Sequence, residues 1–207
     1  MTAETFLPDR LNLRSLTRAA ADCEGCDLYK RATQTVFGEG PVGAPLVLIG
    51  EEPGDREDIM GHPFVGPAGR LLDDALEEAG INRKRVYVTN AVKHFKWEPR
   101  GKRRLHKKPS ARELKACRPW LDAELDVIQP DVVVCLGATA AQQLFGRDFR
   151  ITKQHGQWRA IESCESCLAT WHPSAVLRVP RESARKKMRQ ELVADLATAA
   201  ERILESW

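Results

Sequence analysis

Pro45-Leu-Val-Leu-Ile49 is apolar at every position, and the chain then continues as Gly50-Glu-Glu-Pro-Gly-Asp-Arg-Glu-Asp58. A strand without polar alternation is typical of a sheet that helices cover on both faces. Two further short runs, Val86-Tyr-Val-Thr89 and Asp131-Val-Val-Val-Cys-Leu136, are also rich in β-branched residues. We therefore predict three buried strands at these positions.

Helical patterns separate the three runs. Residues 68–79 place leucines on one face and are followed by Gly80 as a stop signal. Ser110 and Glu113 have the spacing of a capping box, which predicts a helix that ends at Pro130. The remaining predicted elements are a helix at 138–145, strand-like pieces at 157–161 and 167–170, and a final amphipathic helix at 181–204.

Strands that alternate with helices predict the α/β class. We expect a three-layer α/β/α sandwich with a central, mostly parallel sheet of four strands. In such sheets the chemistry lies in the loops beyond the carboxyl ends of the strands. The loops after Ile49, Thr89 and Leu136 are therefore the candidate functional site.

Composition limits the class of protein. The chain has 207 residues, of which 43% are hydrophobic, and a net charge of +3, which excludes a uniformly basic coat. This length suits a single domain over residues 1–207. No apolar run approaches the roughly 20 residues of a membrane span, and the first residues lack a basic and apolar leader. We expect a cytoplasmic protein with no membrane partner.

The loop after Ile49 combines acids with glycines, and its second part is Gly61-His-Pro-Phe-Val-Gly-Pro-Ala-Gly69. Glycines permit close approach of the backbone to a ligand, whereas a surface turn of solvated acids is the alternative interpretation. The Gly-x4-Gly-Lys-Ser/Thr pattern of a phosphate-binding loop is absent.

Four motifs of this sequence resemble, in the same order, those of the uracil-DNA glycosylase superfamily in its iron–sulfur branch. They are Gly50-Glu-x-Pro-Gly with Pro63-Phe-Val-Gly66, Val88-Thr-Asn-Ala-Val-Lys93, Leu136-Gly-Ala-Thr-Ala140 and Trp171-His-Pro-Ser174. The resemblance implies a DNA-repair enzyme, associated with the nucleoid, that recognises uracil in DNA, flips it out of the stack and excises it.

Residues 93–108 contain eight Lys or Arg residues and one acid, Glu98. Phe95 and Trp97 lie among these charges, as in sites that combine phosphate contacts with base stacking. A solvated, mobile loop is the alternative. The near-neutral total charge therefore conceals a concentrated basic segment.

Lys102-Arg-Arg-Leu-His-Lys-Lys108 contains one histidine among these cations. Because nearby positive charge disfavours protonation, we expect His106 to be a neutral, nucleophilic imidazole. Within the superfamily this insertion resembles that of the UdgX-type proteins, which become covalently attached to C1′ of the abasic deoxyribose through this histidine. A solvated loop histidine is the alternative, and it leaves a turnover glycosylase in which water attacks.

The resemblance implies roles for four catalytic residues. His106 would be the nucleophile, and His172 would donate a hydrogen bond to the anion that develops on uracil. Glu51 or Asp55 would face the sugar, where a carboxylate stabilises positive charge or accepts a proton.

It also implies two groups of binding residues. Phe64 would stack on uracil, Asn90 would read its edge because an amide both donates and accepts, and Gly50 would border the base. Phosphates beside the flipped nucleotide would be held with little sequence preference. The residues expected to contact the DNA backbone are Lys93, Arg103, Arg104 and Ser174.

Six cysteines favour metal or cluster ligation over disulfides, because the chain shows no secretory leader. Cys23-x-x-Cys26 and Cys164-x-x-Cys167 together have the form of a zinc site, although most of the chain separates them. This pattern leaves open a different class of protein, a zinc-stapled nucleic-acid-binding module without catalysis.

The resemblance implies another ligand set, for a [4Fe–4S] cluster bound in part by the N-terminal segment. Related families have a cysteine at the position of His94. The implied ligands are Cys23, Cys26, His94 and Cys117. A buried, inert thiol is the alternative for Cys117, which shares a helix face with leucines. Cys135 is expected to pack within its strand, and Cys164 and Cys167 are left unassigned.

Overall fold

The structure of this protein, a computed structural model, describes residues 1–205. The strands are β1 (Leu46–Gly50), β2 (Val86–Asn90), β3 (Trp97–Arg100), β4 (Arg103–His106), β5 (Val132–Leu136), β6 (Arg159–Ile161) and β7 (Cys164–Thr170). The α-helices are α1 (Leu13–Ala20), α2 (Asp55–Met60), α3 (Pro67–Glu78), α4 (Ala111–Ile128), α5 (Ala138–Phe145), α6 (Ile151–Gln154), α7 (Pro173–Arg178) and α8 (Glu182–Glu205).

The central sheet has five strands in the order β2-β1-β5-β7-β6. The first four are parallel to one another, and β6 runs antiparallel to β7 at the edge. The predicted α/β class with a mostly parallel sheet is confirmed. The predicted number of four strands is short by one, since the short β6 pairs with β7 and extends the sheet.

Helices cover both faces of the sheet and form the outer layers of the sandwich. Val47 and Ile49 of β1 belong to the core under α4 and α5, whereas Leu46 and Leu48 belong to the core under α3 and α8. Successive residues of a strand point to opposite faces, so a strand with two covered faces is apolar throughout. This double burial explains the unbroken apolar run.

Local signals account for the ends of α4. The Ser110 hydroxyl accepts a hydrogen bond from the backbone of Glu113, whose carboxylate accepts from the backbone of Ser110, so the predicted capping box is present. At the other end Gln129 adopts a left-handed backbone conformation (φ 49°) just before Pro130. The proline cannot continue the helix, as its position predicted.

The basic segment predicted as a loop is an antiparallel hairpin of β3 and β4. Gly101 occupies the turn with a φ of 59°, a value that two-residue hairpin turns require and glycine adopts without strain. Trp97 pairs with His106 in the register of the hairpin. The hairpin therefore holds His106 at a defined place, at the end of β4.

The N-terminal segment packs against α4. Leu16 and Ala20 of α1 form one buried cluster with Cys23, and the same cluster includes Cys117 and Trp120 of α4. Within residues 1–205, no helix is both long enough and apolar enough to cross a membrane.

Candidate active site

Loops from four parallel strands meet at the carboxyl edge of the sheet, as the topology predicts. They enclose two adjoining cavities of about 270 Å³ and about 200 Å³. The smaller cavity is lined in part by Phe64, Asn90, His106 and His172. These four side chains, which come from separate motifs of the sequence, therefore share one space.

The three predicted uracil-binding residues meet at Gly50, which both Asn90 and Phe64 approach closely. A methyl group added to Gly50 would lie 2.3 Å from Oδ1 of Asn90 and 2.8 Å from Cζ of Phe64. Asn90 is 3% exposed, and within residues 1–205 only its backbone carbonyl, not its side-chain amide, forms a hydrogen bond with another side chain, so the donor and acceptor of the amide are available to a ligand. The absence of a side chain at Gly50 therefore lets Asn90 and Phe64 approach its backbone, although Gly50 itself lines neither cavity.

Phe64 is held in an unusual backbone conformation, with a φ of 57°. Such a conformation costs energy in a bulky residue and persists only where the surroundings impose it. Gly69 permits it, because a Cβ at that position would lie 1.6 Å from the carbonyl oxygen of Phe64. The buried carboxylate of Glu57 also fixes the loop by accepting a hydrogen bond from the Gly66 N–H at 2.7 Å.

His172 has a defined tautomer. Its Nδ1 accepts a hydrogen bond from the backbone N–H of Ser174 at 3.1 Å, and the Ser174 hydroxyl lies 2.8 Å from the same nitrogen. Burial lowers the pKa of His172 to about 4, so the ring is neutral at physiological pH. The remaining proton is therefore on Nε2, which makes this nitrogen a hydrogen-bond donor.

His106 reaches the cavities from the hairpin. Its Nε2 lies 3.0 Å from Oε1 of Glu52 and 3.8 Å from Oε1 of Glu51. The pKa of His106 is raised, first by the contact with Glu52 and also by the charge of Glu51, while burial and, to a smaller extent, Arg178 oppose the rise. The expectation that neighbouring cations keep His106 neutral is therefore wrong, because the ring faces two carboxylates and not the other side chains of its own strand.

Glu52 is a site residue that the sequence analysis missed. Its side chain is 0% exposed, and within the described chain neither carboxylate oxygen has a partner with hydrogen-bond geometry. Burial raises its pKa to about 7. The pair Glu51-Glu52 directly after β1 was the only available signal, and it does not indicate which carboxylate is buried.

The two predicted catalytic carboxylates lie in different surroundings. Glu51 lines the larger cavity and accepts a hydrogen bond from the Thr139 hydroxyl at the amino end of α5. Asp55 instead forms an ion pair with Arg104, at 2.5 Å from Nε, and lines neither cavity. The structure thus favours Glu51 and corrects the assignment of Asp55, whose carboxylate anchors the hairpin.

Lys93 contradicts its predicted role in binding phosphate. It is 1% exposed, and its ammonium group forms a 2.5 Å ion pair with the buried Glu124. It also donates to the Thr89 hydroxyl at 2.6 Å and to the carbonyl oxygen of Asn90 at 2.7 Å. An ammonium group enclosed in this way supports the backbone of Asn90 and is shielded from the surface where a phosphate would approach.

The other predicted DNA contacts differ in what they touch. Arg104 donates to Asp55 and Asp58, and its guanidinium lies over the rings of Phe95 and Trp97. The guanidinium is therefore occupied by contacts within the protein. This corrects its assignment as a phosphate ligand. Arg103 is exposed on the hairpin, and its DNA contact stays a prediction. The Ser174 hydroxyl contacts His172, while the residue borders both cavities.

Three of the four implied cluster ligands share one buried environment. The Trp120 indole N–H donates to Sγ of Cys23 at 3.2 Å, and the backbone N–H of Lys93 donates to Sγ of Cys117 at 3.3 Å. Cys26 and Cys23 both act electrostatically on Cys117 and raise its pKa, although burial is the larger cause. Hydrogen bonds of this kind to sulfur are typical of cluster-binding thiolates.

The fourth implied ligand, His94, is also buried. Its Nε2 lies 2.9 Å from the Thr35 hydroxyl, and burial lowers its pKa to about 4. Among the described residues no three His, Cys, Asp or Glu side chains are grouped closely enough for a single metal ion. A cubane cluster separates its ligands more widely than one ion does, so this result concerns a single ion, and the four-ligand cluster stays a prediction.

The zinc alternative fails on the same grouping. Cys164 and Cys167 lie in β7 and belong to the core beneath α4 and α5, whereas Cys23 belongs to the cluster between α1 and α4. Residues 1–205 therefore bring no double Cys-x-x-Cys site together around one ion. Cys135 is buried in β5, as its place in the strand predicted.

Several known proteins are similar to this chain in sequence. The family model of the uracil DNA glycosylase superfamily matches residues 37–197. The Type-4 uracil-DNA glycosylase of Archaeoglobus fulgidus is 36% identical over 197 residues, which cover 92% of each chain. That of Thermotoga maritima is 40% identical over 157 residues, covering 75% of this chain and 78% of the relative. The Type-5 uracil-DNA glycosylase of Thermus thermophilus is 31% identical over 159 residues, covering 67% and 68%.

The family model spans most of the chain, and each of these relatives matches it over two thirds or more of its own length. The protein therefore belongs to the uracil-DNA glycosylase superfamily. The resemblance seen in the four motifs is confirmed at the level of the family.

Proposed function

We propose that this protein excises uracil from DNA as a repair enzyme, and that His106 then captures the abasic sugar in the manner of the UdgX-type proteins. The observation that carries the proposal is the position of His106. A histidine from a basic hairpin lines the same cavity as Phe64, Asn90 and His172, next to two carboxylates. A histidine that is only a solvated surface group is not expected to line this cavity.

Uracil recognition follows from the pocket. Phe64 presents its ring for stacking, and the amide of Asn90 has both the donor and the acceptor that the uracil edge requires. Breaking the N-glycosidic bond leaves the electron pair on uracil. The Nε2–H of His172 donates to the uracil oxygen on which this charge develops, and it does so without a positive charge of its own.

Capture of the sugar requires a neutral His106. When uracil leaves, C1′ carries positive charge, and an imidazole nitrogen donates its lone pair to form the N–C1′ bond. The proton on the other ring nitrogen then passes to a nearby carboxylate, either Glu51 or Glu52. The product has no efficient leaving group, so the reaction ends after one turnover.

Ordinary turnover is the second candidate, and two observations favour it. The Archaeoglobus fulgidus and Thermotoga maritima relatives are named Type-4 uracil-DNA glycosylases. In addition, Glu51 borders the cavity with its carboxylate held by Thr139, a suitable arrangement for directing water to C1′. In this mechanism His106 would only contact the sugar or the phosphate beside it.

We propose further that residues 1–207 form a single domain whose N-terminal segment holds a [4Fe–4S] cluster, with Cys23, Cys26, Cys117 and His94 as ligands. The shared environment of the three thiols supports this proposal. The cluster would brace the N-terminal segment against α4, near the base of the hairpin. Its chemistry when bound would be structural and not a part of the excision.

A denaturing gel distinguishes capture from turnover. After incubation with an oligonucleotide that contains one uracil, the wild-type protein is expected to give a protein–DNA band that survives heat and detergent. His106→Ser should remove this band and leave slow excision directed by Glu51. His62→Ser is the matched control. His62 is an exposed histidine of the first loop that pairs with Glu39 and not with a carboxylate of the site.

Capture is refuted if abasic product accumulates beyond one equivalent of wild-type protein without a stable band. A band that persists in His106→Ser would refute the assignment of the nucleophile alone. Absence of both band and abasic product in the wild type would remove the glycosylase proposal.

A further inference from the structure

A large groove adjoins the active site, and none of the proposed catalytic or uracil-binding residues lines it. It has a volume of about 770 Å³ and lies between the N-terminal residues, the first turns of α4 and the outer face of α5. Its walls include Leu114 and Pro119 of α4 and Gln142 and Gln143 of α5. The groove is thus a second concave surface of the molecule, distinct from the cavity around Asn90.

The groove is positively charged. Lys108, Lys115 and Arg147 are exposed along it, and none of the three forms an ion pair within residues 1–205. A fourth cation, Arg118, is paired with Asp122, and the one acid on the wall is the exposed Glu4. Three unpaired cations face one acid, so the groove attracts an extended anion. It also favours an acidic protein surface over a basic one.

The groove is continuous with the active site. Lys108 and Thr139 line both the groove and the larger cavity. The Thr139 hydroxyl donates to Glu51, the carboxylate on the sugar side of the site. A polymer that placed one sugar beside Glu51 would therefore have the groove as its next available space.

The walls combine apolar and polar groups. Leu114, Pro109 and Pro119 supply apolar surface, and the amides of Gln142 and Gln143 are the polar groups beside them. Apolar surface suits the faces of sugars and bases whatever the base sequence. Charge, continuity and lining thus indicate the same kind of occupant.

We propose that this groove binds the single strand of DNA that continues on one side of the flipped nucleotide, with Lys108, Lys115 and Arg147 contacting its phosphates. The proposal rests on the proposed uracil-DNA function and adds to it a strand path and three phosphate contacts. Because the contacts are to the backbone, the groove has no preference for base sequence. The affinity for DNA therefore depends on how far the strand extends from uracil on the side of the groove, and not on how far it extends on the other side.

The test uses two substitutions on the groove and two away from it. Lys115→Ala/Arg147→Ala removes two exposed cations of the groove, and Lys84→Ala/Lys186→Ala removes two exposed cations from the amino end of β2 and from α8. Dissociation constants are measured over a range of salt for single-stranded oligonucleotides in which 2′-fluoro-2′-deoxyuridine, whose glycosidic bond resists cleavage, replaces deoxyuridine. These oligonucleotides extend from that base on the 5′ side only, the 3′ side only or both.

The groove variant is expected to bind more weakly, with a salt slope smaller by about 1.4, since each phosphate contact to a single strand contributes about 0.7. The loss should occur with oligonucleotides extended on one of the two sides and not on the other. The control variant should keep the wild-type slope. Equal slopes for the groove variant and the wild type, or the same loss on both sides, would refute the groove.

Uracil oligonucleotides separate this inference from the function it rests on. Their single-turnover excision by the groove variant should fall at low DNA concentration and recover when DNA saturates the protein. If no excision occurs with any protein while the salt slopes differ as expected, the groove stands and the glycosylase proposal fails. If excision occurs but the salt slopes of the groove variant and the wild type are equal, the glycosylase proposal stands and the groove proposal fails.

Discussion

Glu52 and His106 illustrate how a single buried side chain changes the chemistry of its neighbour. Burial removes water from the Glu52 carboxylate, and the contact with His106 offsets this loss only in part, so the charged form is disfavoured and the pKa of Glu52 rises to about 7. The same carboxylate raises the pKa of His106. The two groups therefore titrate as a pair, which holds a proton more tightly than either residue would alone.

This pair predicts the pH dependence of capture. Below its raised pKa, His106 is protonated and has no lone pair for C1′, so capture should slow as the pH falls through that pKa. Glu52→Gln removes the main cause of the rise, and it should move the acid limb of the capture profile to lower pH. The profile is measured as the single-turnover rate of adduct formation from pH 5 to 9.

Glu39→Gln is the matched control, because Glu39 pairs with the exposed His62 and not with His106. It should leave the acid limb unchanged. An unchanged limb in Glu52→Gln as well would show that the rate does not depend on the protonation of His106.

The β3–β4 hairpin depends on one arginine. Arg104 of β4 joins the hairpin to α2 through Asp55 and through Asp58, whose side chain is 0% exposed. Asp58 also accepts from the backbone N–H and the hydroxyl of Thr33. An exposed two-stranded hairpin is marginal in water, so these contacts account for its order.

Arg104→Ala should therefore release the hairpin. The loss of charge-assisted hydrogen bonds is expected to destabilise this region by about 1–3 kcal/mol. Hydrogen exchange should become faster over residues 96–107, including the Lys107 N–H that donates to the Lys96 carbonyl. Arg103→Ala on the same strand is the control and should exchange at the wild-type rate, because Arg103 has no ion pair within the described chain. Wild-type exchange in Arg104→Ala would contradict the anchor.

A second buried ion pair connects the loop after β2 to α4. Lys93 and Glu124 are each 1% exposed at the side chain, and the hydroxyls of Tyr87 and Thr89 donate to the same carboxylate. The network supports the backbone of Asn90 through the Lys93 ammonium group. Its members are satisfied together, so the removal of one leaves a charge without a partner.

Lys93→Met should destabilise the protein by about 3–5 kcal/mol, because it leaves the Glu124 carboxylate buried and unpaired. Adding Glu124→Gln should recover a substantial part of the loss, since a neutral amide retains an acceptor for Tyr87 and Thr89. Urea unfolding monitored by circular dichroism measures both effects. A stable Lys93→Met variant with a smaller salt slope for DNA binding would instead restore the phosphate role.

At the scale of the whole molecule, the N-terminal segment and α4 depend on the proposed cluster. The purified protein should contain about four iron atoms per chain and absorb visible light as iron–sulfur proteins do. Cys117→Ala should lose the iron and lower the melting temperature, because the segment that includes Cys23 and Cys26 loses its link to α4. Iron analysis and thermal unfolding provide the two measurements.

Cys135→Ala serves as the control for the cluster, because Cys135 is buried in β5 and belongs to a different core cluster from Cys23, Cys26 and Cys117. It should keep its iron while losing a small amount of packing. Stoichiometric zinc in place of iron would contradict the cluster. Replacing His94 with Cys should retain the iron if this position is a ligand, and Thr35→Ala should not affect it.

Much of this molecule follows from local rules that the sequence obeys. The apolar run of β1 predicts a strand covered on both faces, the capping box at Ser110 predicts the start of α4, and the four motifs identify the family. Strand ends in a parallel sheet then bring Gly50, Asn90 and His172 to one edge. These inferences succeed because apolar periodicity and capping depend on residues that are neighbours along the chain.

The partners of the charged side chains were decided only by tertiary structure. Lys93 and Arg104 have the composition of phosphate ligands, yet one is enclosed by Glu124 from α4 and the other binds carboxylates of α2. Glu52 and Glu51 are adjacent in the sequence, yet only Glu52 has a fully buried side chain. Charge and pKa depend on solvent and on distant neighbours, and these exist only once the elements have packed.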